Sequence, residues 1–327
     1  MAPNRQLPRT VPLFRDETVD SFLARLAAAN HLDIDELRAL LSVRMLKKTP
    51  ITELRPPLAT LSSFTEHQLT LALPEFIATR NTDTPGLIDR PLPEGHNAQR
   101  PACRLCAHRA GITSPVICWM THDRNVCLRH LLWIGDGCQR PEEQVNVTPL
   151  PGTVLAQRHH RNLIARHGRR WVGLAFHSAK EIFLGWKERY GFHPEEAITR
   201  RLTALSYPSG KSVADDLALA AGFHREIVRL SGLLASDHWE RVALRKGGLA
   251  RFLDEVSHRN ILGGYELEDR SDPLLQWIRD RAGNYNMALH FNRWEILTIL
   301  FHEETTRRLT KRPAKDLRTC PLPLPYY

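Results

Sequence analysis

The sequence predicts a mainly α-helical protein with a small cysteine-rich module between two helical regions. Apolar residues recur at helical spacing between residues 16 and 46 and again from about residue 152 onward. Strand-like stretches are few and fall mainly within residues 115–134. Four of the six cysteines lie between Ala102 and Ile134. We therefore expect a helical N-terminal region with a linker over residues 1–94, a compact module over 95–150 and a helical C-terminal domain over 151–327.

The overall charge favours a polyanionic partner. The 327 residues carry a net charge of +9, with an isoelectric point near 9.5. Arginine predominates over lysine; a GC-rich genome would also enrich arginine but would not produce the net positive sign. The N-terminus lacks an apolar segment, and no apolar run approaches the roughly 20 residues of a membrane span. These features predict a cytoplasmic protein without a membrane partner.

The N-terminal region is predicted to contain two amphipathic helices. The first has apolar residues at i, i+3, i+4 and i+7, namely Val19, Phe22, Leu23 and Leu26. The second begins at a capping-box-like pair and has an apolar face formed by Ile34, Leu37, Leu40, Leu41 and Met45. Acidic residues outnumber basic ones here, which favours a basic protein partner over DNA. The acidic residues are Asp16, Glu17, Asp20, Asp33, Asp35 and Glu36.

The cysteine-rich module contains two donor pairs with the same internal spacing. Cys103 and Cys106 form one pair, Cys127 and His130 form the other, and residues 107–126 lie between them. Two such turns can close a tetrahedral Cys₃His site, and thiolate with imidazole favours zinc over magnesium or calcium. Because four protein ligands leave no open position, we expect one structural Zn²⁺ around which the N-terminal helical segment packs.

These cysteines have alternative interpretations. A redox function for Cys103 and Cys106 lacks the strand-to-helix context of thioredoxin-like sites. Four further side chains are near enough in sequence to replace a ligand: Cys118, His108, His122 and Cys138. Cys118 adjoins Trp119 in an apolar stretch, which is more typical of a core residue. Cys138 has no paired donor at ligand spacing.

This arrangement resembles the TniQ/TnsD family of proteins that select targets for transposition. The matching elements are the close cysteine pair, an intervening Trp119 and the "VCLRH" turn from Val126 to His130, together with the N-terminal stretch "VPLFRDETVDSFLARLAAANHL". The resemblance covers roughly residues 8–165. The family usually has proline after the first cysteine and glycine after the histidine, where this chain has Arg104 and Leu131.

The resemblance implies an adaptor that connects DNA to the transposition machinery. The implied partners are double-stranded DNA and the AAA+ ATPase that regulates transposition, with a DNA-bound guide-RNA targeting complex as an alternative route to the DNA. The main alternative function is a zinc-stabilised helix-turn-helix transcription regulator. A nucleic-acid enzyme with scattered acidic residues is a third possibility, which DNA cleavage in the presence of magnesium would reveal.

Residues 213–234 fit a helix-turn-helix pattern. Apolar and small residues occupy the expected inner positions of "VADDLALAAGFHREIVRLSGLL". The second helix would then present three side chains to a major groove, namely His224, Arg225 and Arg229. An ordinary helical hairpin with a solvated arginine face would give the same pattern. TnsD-like members carry DNA-binding helical domains after the zinc region, so the resemblance favours the first interpretation.

Two further basic segments are candidate phosphate-binding surfaces. One contains Arg158, Arg161, Arg166, Arg169 and Arg170. The other is the C-terminal tail, with Arg307, Arg308, Lys311 and Arg312. A solvated helix face would explain either segment equally well.

No motif argues for catalysis. "SGKS" at residues 209–212 lacks the first glycine of a phosphate-binding loop, because position 205 is leucine. "HEETT" at residues 302–306 lacks the second histidine of a zinc-protease helix. Adjacent aspartates at 215 and 216 are more typical of a helix start than of a two-metal nuclease. We therefore expect the protein not to be an enzyme.

Overall fold

The computed structural model confirms a mainly helical protein. It describes residues 5–41, 51–77, 99–190, 201, 203–205, 215–245, 247–259, 261 and 272–290. These residues separate into two compact units. The first contains the described residues up to 121 together with 138–144, and the second contains 122–137 and the described residues from 145 onward.

The first unit contains five short helices and one two-stranded sheet. The α-helices are α1 (Val19–Ala29), α2 (Ile34–Leu40), α3 (Arg55–Ser62), α4 (Glu66–Ala72) and α5 (Arg104–Arg109). Short 3₁₀-helices cover Ile51–Leu54, Pro74–Phe76 and Pro141–Glu143. The strands are β1 (Gln99–Pro101) and β2 (Ile117–Trp119).

The two predicted N-terminal helices are present. Thr18 caps α1 by accepting a hydrogen bond from the Ser21 backbone, and Asp33 and Glu36 form the predicted capping box of α2. The apolar faces meet in a core that includes Phe22 and Leu37, both fully buried. Leu40, predicted on the same apolar face, is instead 45% exposed. Met45, predicted at the end of the second helix, lies outside the described residues.

The segment before α1 pairs with the small sheet. β1 and β2 are antiparallel, with Arg100 opposite Cys118. The Thr18 N–H donates to the Ile117 carbonyl at 2.9 Å, and the Trp119 N–H donates to the Asp16 carbonyl at 2.7 Å. Residues far apart in sequence thus form one layer.

The second unit is a helical bundle that follows a short hairpin. The hairpin consists of β3 (Val126–Cys127) and β4 (Leu132–Trp133). The helices are α6 (Pro151–His167), α7 (Arg169–Tyr190), α8 (Asp215–Gly222), α9 (His224–Leu234), α10 (Asp237–Leu244), α11 (Leu249–His258) and α12 (Pro273–His290). Among the helices within these described ranges, none combines the length and apolar composition needed to cross a bilayer.

Helix α9 lies in the core of this bundle, packed against α6 and α7. Gly232 faces α6, because a Cβ at that position would lie 3.4 Å from both Leu163 methyl carbons, an ordinary van der Waals distance. Phe176 and Phe183 of α7 belong to the same apolar core.

Three local features complete the description of the bundle. Residues 180–190 form the second part of the long helix α7. On α6, Ala156 and Leu163 belong to the buried face, whereas Leu155 is 61% exposed. Asp272 precedes α12 and accepts hydrogen bonds from the Leu274 and Leu275 backbones.

Candidate metal centre and basic surfaces

The first donor pair lies at the start of α5. Cys103 precedes the helix and Cys106 lies in its first turn, so the helical turn brings both thiols to the same side. Both cysteines are buried.

The second donor pair lies in the tight turn of the β3–β4 hairpin. The Leu131 N–H donates to the Cys127 carbonyl at 2.7 Å and closes a loop that contains His130. Leu131 has a φ of +52°, in the left-handed region that glycine adopts most easily. Glycine would adopt this conformation with less strain. In this chain, a leucine adopts it.

The four predicted ligands converge. Their ligating atoms all lie within 4.8 Å of one another, and the Sγ of Cys127 lies 3.6 Å from the Nδ1 of His130. Tetrahedral coordination with Zn–S near 2.3 Å and Zn–N near 2.05 Å places sulfur and nitrogen about 3.6 Å apart. Cys103, Cys106, Cys127 and His130 therefore form a compact group that can bind one metal ion.

The neighbouring candidates do not belong to this group. Cys118 is a buried residue of β2 and its thiol points toward the Arg15 carbonyl, as the core interpretation predicted. Cys138 is buried near the Arg140 carbonyl, His108 is exposed and His122 contacts His160. Among the described residues, the Cys₃His set is the one group whose donors converge on a common point.

Gln144 holds the first cysteine turn from both sides. Its Oε1 accepts a hydrogen bond from the Arg104 N–H at 2.8 Å, and its Nε2 donates to the Ala102 carbonyl at 2.7 Å. The Arg104 guanidinium also donates to the carbonyls of Pro141 and Gln144, each at 2.9 Å. Arg104 therefore supplies a backbone donor that a proline at this position would lack.

Gln157 has a corresponding function for the second turn. This residue of α6 is fully buried, and its Oε1 accepts hydrogen bonds from the N–H groups of Asn125 and Val126 at 2.9 and 3.0 Å. Its Nε2 donates to the Asp123 carbonyl at 2.6 Å. The loop that leads into Cys127 is thus fixed to a helix. Neither glutamine was identified from the sequence, because both contacts join residues more than 30 positions apart.

The helix-turn-helix prediction is not confirmed. α8 and α9 are joined by Phe223 alone, whereas the motif uses a turn of about 3–4 residues and exposes its second helix. Nine of the eleven residues of α9 are buried. The prediction that His224 points outward is wrong: the residue is 1% exposed, and its ring lies 5.3 Å from that of Trp133.

The two arginines of α9 differ from the expected arrangement. Arg225 is half-buried, and its side chain lies beside Gly152, at the start of α6. Arg229 is also half-buried, and its Nη1 donates to the Arg259 carbonyl at 2.8 Å, at the C-terminal end of α11. A bidentate contact with guanine requires two N–H groups of the guanidinium, and this hydrogen bond already engages one of its nitrogens.

The arginines around the α6–α7 corner divide into two groups. Four are exposed, namely Arg158, Arg161, Arg166 and Arg170. Arg169 instead pairs with Asp123, with 2.6 Å between Nη2 and Oδ1, and braces the loop before β3. The tail residues lie outside the described ranges: Arg307, Arg308, Lys311 and Arg312. DNA contact by these residues stays a prediction.

The acidic N-terminal surface is smaller than the sequence suggested. Glu17 is fully buried and forms a bidentate pair with Arg25, at 2.6 and 2.8 Å. Asp16 is also buried. The exposed acidic residues of the helix pair are Asp20, Asp33, Asp35 and Glu36.

Comparison with known proteins identified no match. No family model, no curated protein and no solved structure matches the chain. The functional proposal below therefore depends on the residues and their geometry, together with the resemblance in the sequence motifs.

Proposed function

We propose that this protein is a TniQ-like adaptor for transposition target selection, with one structural zinc ion. In this proposal it binds DNA, or a DNA-bound targeting complex, and recruits the AAA+ ATPase of the transposon. The observation that carries the proposal is the convergence of Cys103, Cys106, Cys127 and His130, because these residues also carry the sequence resemblance.

A second observation supports the same proposal. The two sequence elements that resemble the family are an N-terminal stretch and a cysteine segment. Backbone hydrogen bonds join them, from Thr18 to Ile117 and from Trp119 to Asp16. The N-terminal stretch and the part of the cysteine segment up to residue 121 therefore belong to the same folded unit.

Zinc is the metal that best fits the donor set. Three thiolates and one imidazole are soft ligands, and four protein donors complete a tetrahedron. When bound, the ion supplies folding free energy of about 10–16 kcal/mol in comparable sites. Gln144 and Gln157 then orient the backbone that carries the donors.

The transcription-regulator alternative depends on α9 as an exposed recognition helix. Because α9 is a core helix, that alternative would need another element to read DNA. The adaptor function does not need base reading by α9, since a partner complex can supply the target site.

Metal analysis of ligand variants tests the first part of the proposal. We expect about one zinc per wild-type chain. Cys127→Ser and His130→Ala should each lose the metal, and Cys118→Ser, a matched cysteine in β2, should keep it. A folded wild-type protein that contains no metal would overturn the zinc assignment.

Recovery of the protein from its native cells tests the second part. We expect the retrieved complex to contain an AAA+ ATPase encoded beside this gene, and the retrieved DNA to be enriched in transposon insertion sites. Enrichment of promoter sequences without such an ATPase would contradict the adaptor function and favour the transcription regulator.

A further inference from the structure

Three elements of the second unit converge on one basic surface. The Arg229 side chain of α9 donates to the Arg259 carbonyl at the end of α11. His159 of α6 lies over Gly232 of α9, because a Cβ on that glycine would be 3.8 Å from the His159 Nε2. Arg225 extends from α9 to the first turn of α6, where its Cδ would lie 3.1 Å from a Cβ on Gly152.

The positive charge of this surface is only partly neutralised by its own carboxylates. The Nε of Arg259 lies 2.6 Å from Glu255, and the Nη1 of Arg201 lies 2.8 Å from Glu226. Within the described part of the chain, no carboxylate forms an ion pair with the other three arginines, which are Arg166, Arg225 and Arg229.

The titratable groups on the surface respond to this excess charge. Burial lowers the pKa of His159, and the positive charges of Arg259, Arg166 and Arg229 lower it further. Burial also lowers the pKa of Arg229, the charge of Arg225 acts in the same direction, and the carboxylate of Glu226 offsets part of this effect. Like charges are therefore held together, and an anion placed among them would relieve their repulsion.

We propose that this surface, which carries Arg166, Arg225 and Arg229, binds the backbone phosphates of duplex DNA. The inference builds on the proposed function and names the DNA-binding surface of the second unit. It assigns phosphate binding, not base reading, to α9, because the helix is buried and one of its two arginines is tied to the Arg259 carbonyl. Arg229 contributes positive charge to this surface, and its hydrogen bond to the Arg259 carbonyl also connects α9 to the end of α11.

Binding measured against salt concentration tests the proposal. The test variant is Arg166→Gln with Arg225→Gln, and the control is Arg245→Gln with Arg279→Gln. The control residues are exposed arginines of the same unit whose charges do not act on His159 or Arg229. Affinity is measured for a 30-base-pair target duplex and a random duplex of equal length.

The test variant should bind both duplexes more weakly by the same factor. The plot of log affinity against log salt has a negative slope, and its magnitude should decrease by about 1.8, which is about 0.9 for each lost phosphate contact. The control should leave the slope close to that of the wild type. If the double variant fails to fold, Arg166→Gln alone should lower the slope by about 0.9, because Arg166 is exposed on α6.

Three results would contradict the inference in different ways. Equal slopes for the test and control variants would place the phosphate contacts elsewhere while leaving the adaptor function intact. Loss of target preference without loss of random binding would indicate base reading. If the wild type bound neither duplex, both this inference and direct DNA binding in the proposed function would be wrong.

A spectroscopic measurement provides an independent readout. Bound phosphate should raise the pKa of His159, because it offsets the repulsion from the neighbouring arginines. The His159 imidazole resonance, followed by NMR against pH with and without the random duplex, should show this increase in the wild type. An unchanged His159 pKa in the complex would also overturn the proposal.

Discussion

The Nδ1 of His122 lies 3.0 Å from the Nε2 of His160, so these two imidazoles share a hydrogen bond inside the second unit. The ring of His224 lies 6.4 Å from that of His160, and Phe176 packs against all three rings. Burial lowers the pKa of His122 to about 4 and that of His224 to about 3. Burial also holds the pKa of His160 well below 6.5.

We expect the second unit to lose stability in mild acid. All three histidines are neutral in the folded state, whereas in the unfolded chain they take up protons below a pH of about 6.5. The unfolded state therefore binds more protons as the pH falls from about 6.5 toward 4, and the free energy of unfolding decreases over that window. Each such histidine contributes about 1.4 kcal/mol per pH unit.

Urea unfolding of the wild type and of His224→Phe, measured from pH 7 to 4.5, checks this prediction. Phenylalanine keeps a ring between Trp133 and Phe176 but cannot be protonated. The variant should lose stability less steeply, by the contribution of about one proton. Acid also releases metal from thiolates, but that effect is common to both proteins and cancels in the comparison. Parallel curves would contradict the prediction.

We expect Gln144→Leu to weaken metal binding although Gln144 is not a ligand. The substitution removes both hydrogen bonds that fix the backbone around Cys103. Loss of such outer contacts typically costs about 10–100-fold in metal affinity. Competition with a fluorescent zinc chelator measures the effect. Gln139→Leu is the matched control, because Gln139 is exposed in the same loop, and its affinity should equal that of the wild type.

We expect Arg104→Pro to destabilise the first unit more than Arg104→Ala does. From sequence rules alone, proline would be favourable at this first helical position. Both variants lose the guanidinium hydrogen bonds, but only proline removes the N–H that donates to Gln144. The unsatisfied Oε1 of the buried glutamine should cost about 1–3 kcal/mol in the free energy of unfolding. Equal stability of the two variants would show that this hydrogen bond contributes little.

The sequence predicted the metal ligands because their pattern is local. Each donor pair is defined by a spacing of three positions, and a single turn brings its members together. The capping box at Asp33 and Glu36 is local in the same sense. Features of this kind depend little on the rest of the fold.

The failed predictions concern residues whose environment depends on distant parts of the chain. The pattern that placed His224 outward assumed a helix with one solvated face, but α6 and α7 cover α9. In the sequence, Glu17 looks like a surface carboxylate. In the structure, Arg25, eight residues later in α1, pairs with it inside the core. Gln144 and Gln157 carry no sequence signal, because an isolated glutamine is usually exposed.

The exposed acidic residues Asp20 and Asp35 should contribute to ATPase recruitment. Both lie within reach of Arg38, at 3.4 and 3.2 Å, on the outer face of α1 and α2. Glu36 is a poorer choice for substitution, because its Oε2 accepts a hydrogen bond from the Asp33 N–H and caps α2. Changes at Asp20 and Asp35 therefore alter surface charge without removing a helix cap.

We expect the double variant Asp20→Asn, Asp35→Asn to bind the ATPase about three- to tenfold more weakly at low salt, because two surface charge contacts are lost. The effect should appear mainly in the association rate and shrink as salt is added. The control, Glu142→Gln with Asp254→Asn, removes two exposed acids outside this face and should bind like the wild type. DNA affinity should not fall in either variant. A matching loss of DNA binding in the Asp20 and Asp35 variant would mean that this face acts on DNA and not on the ATPase.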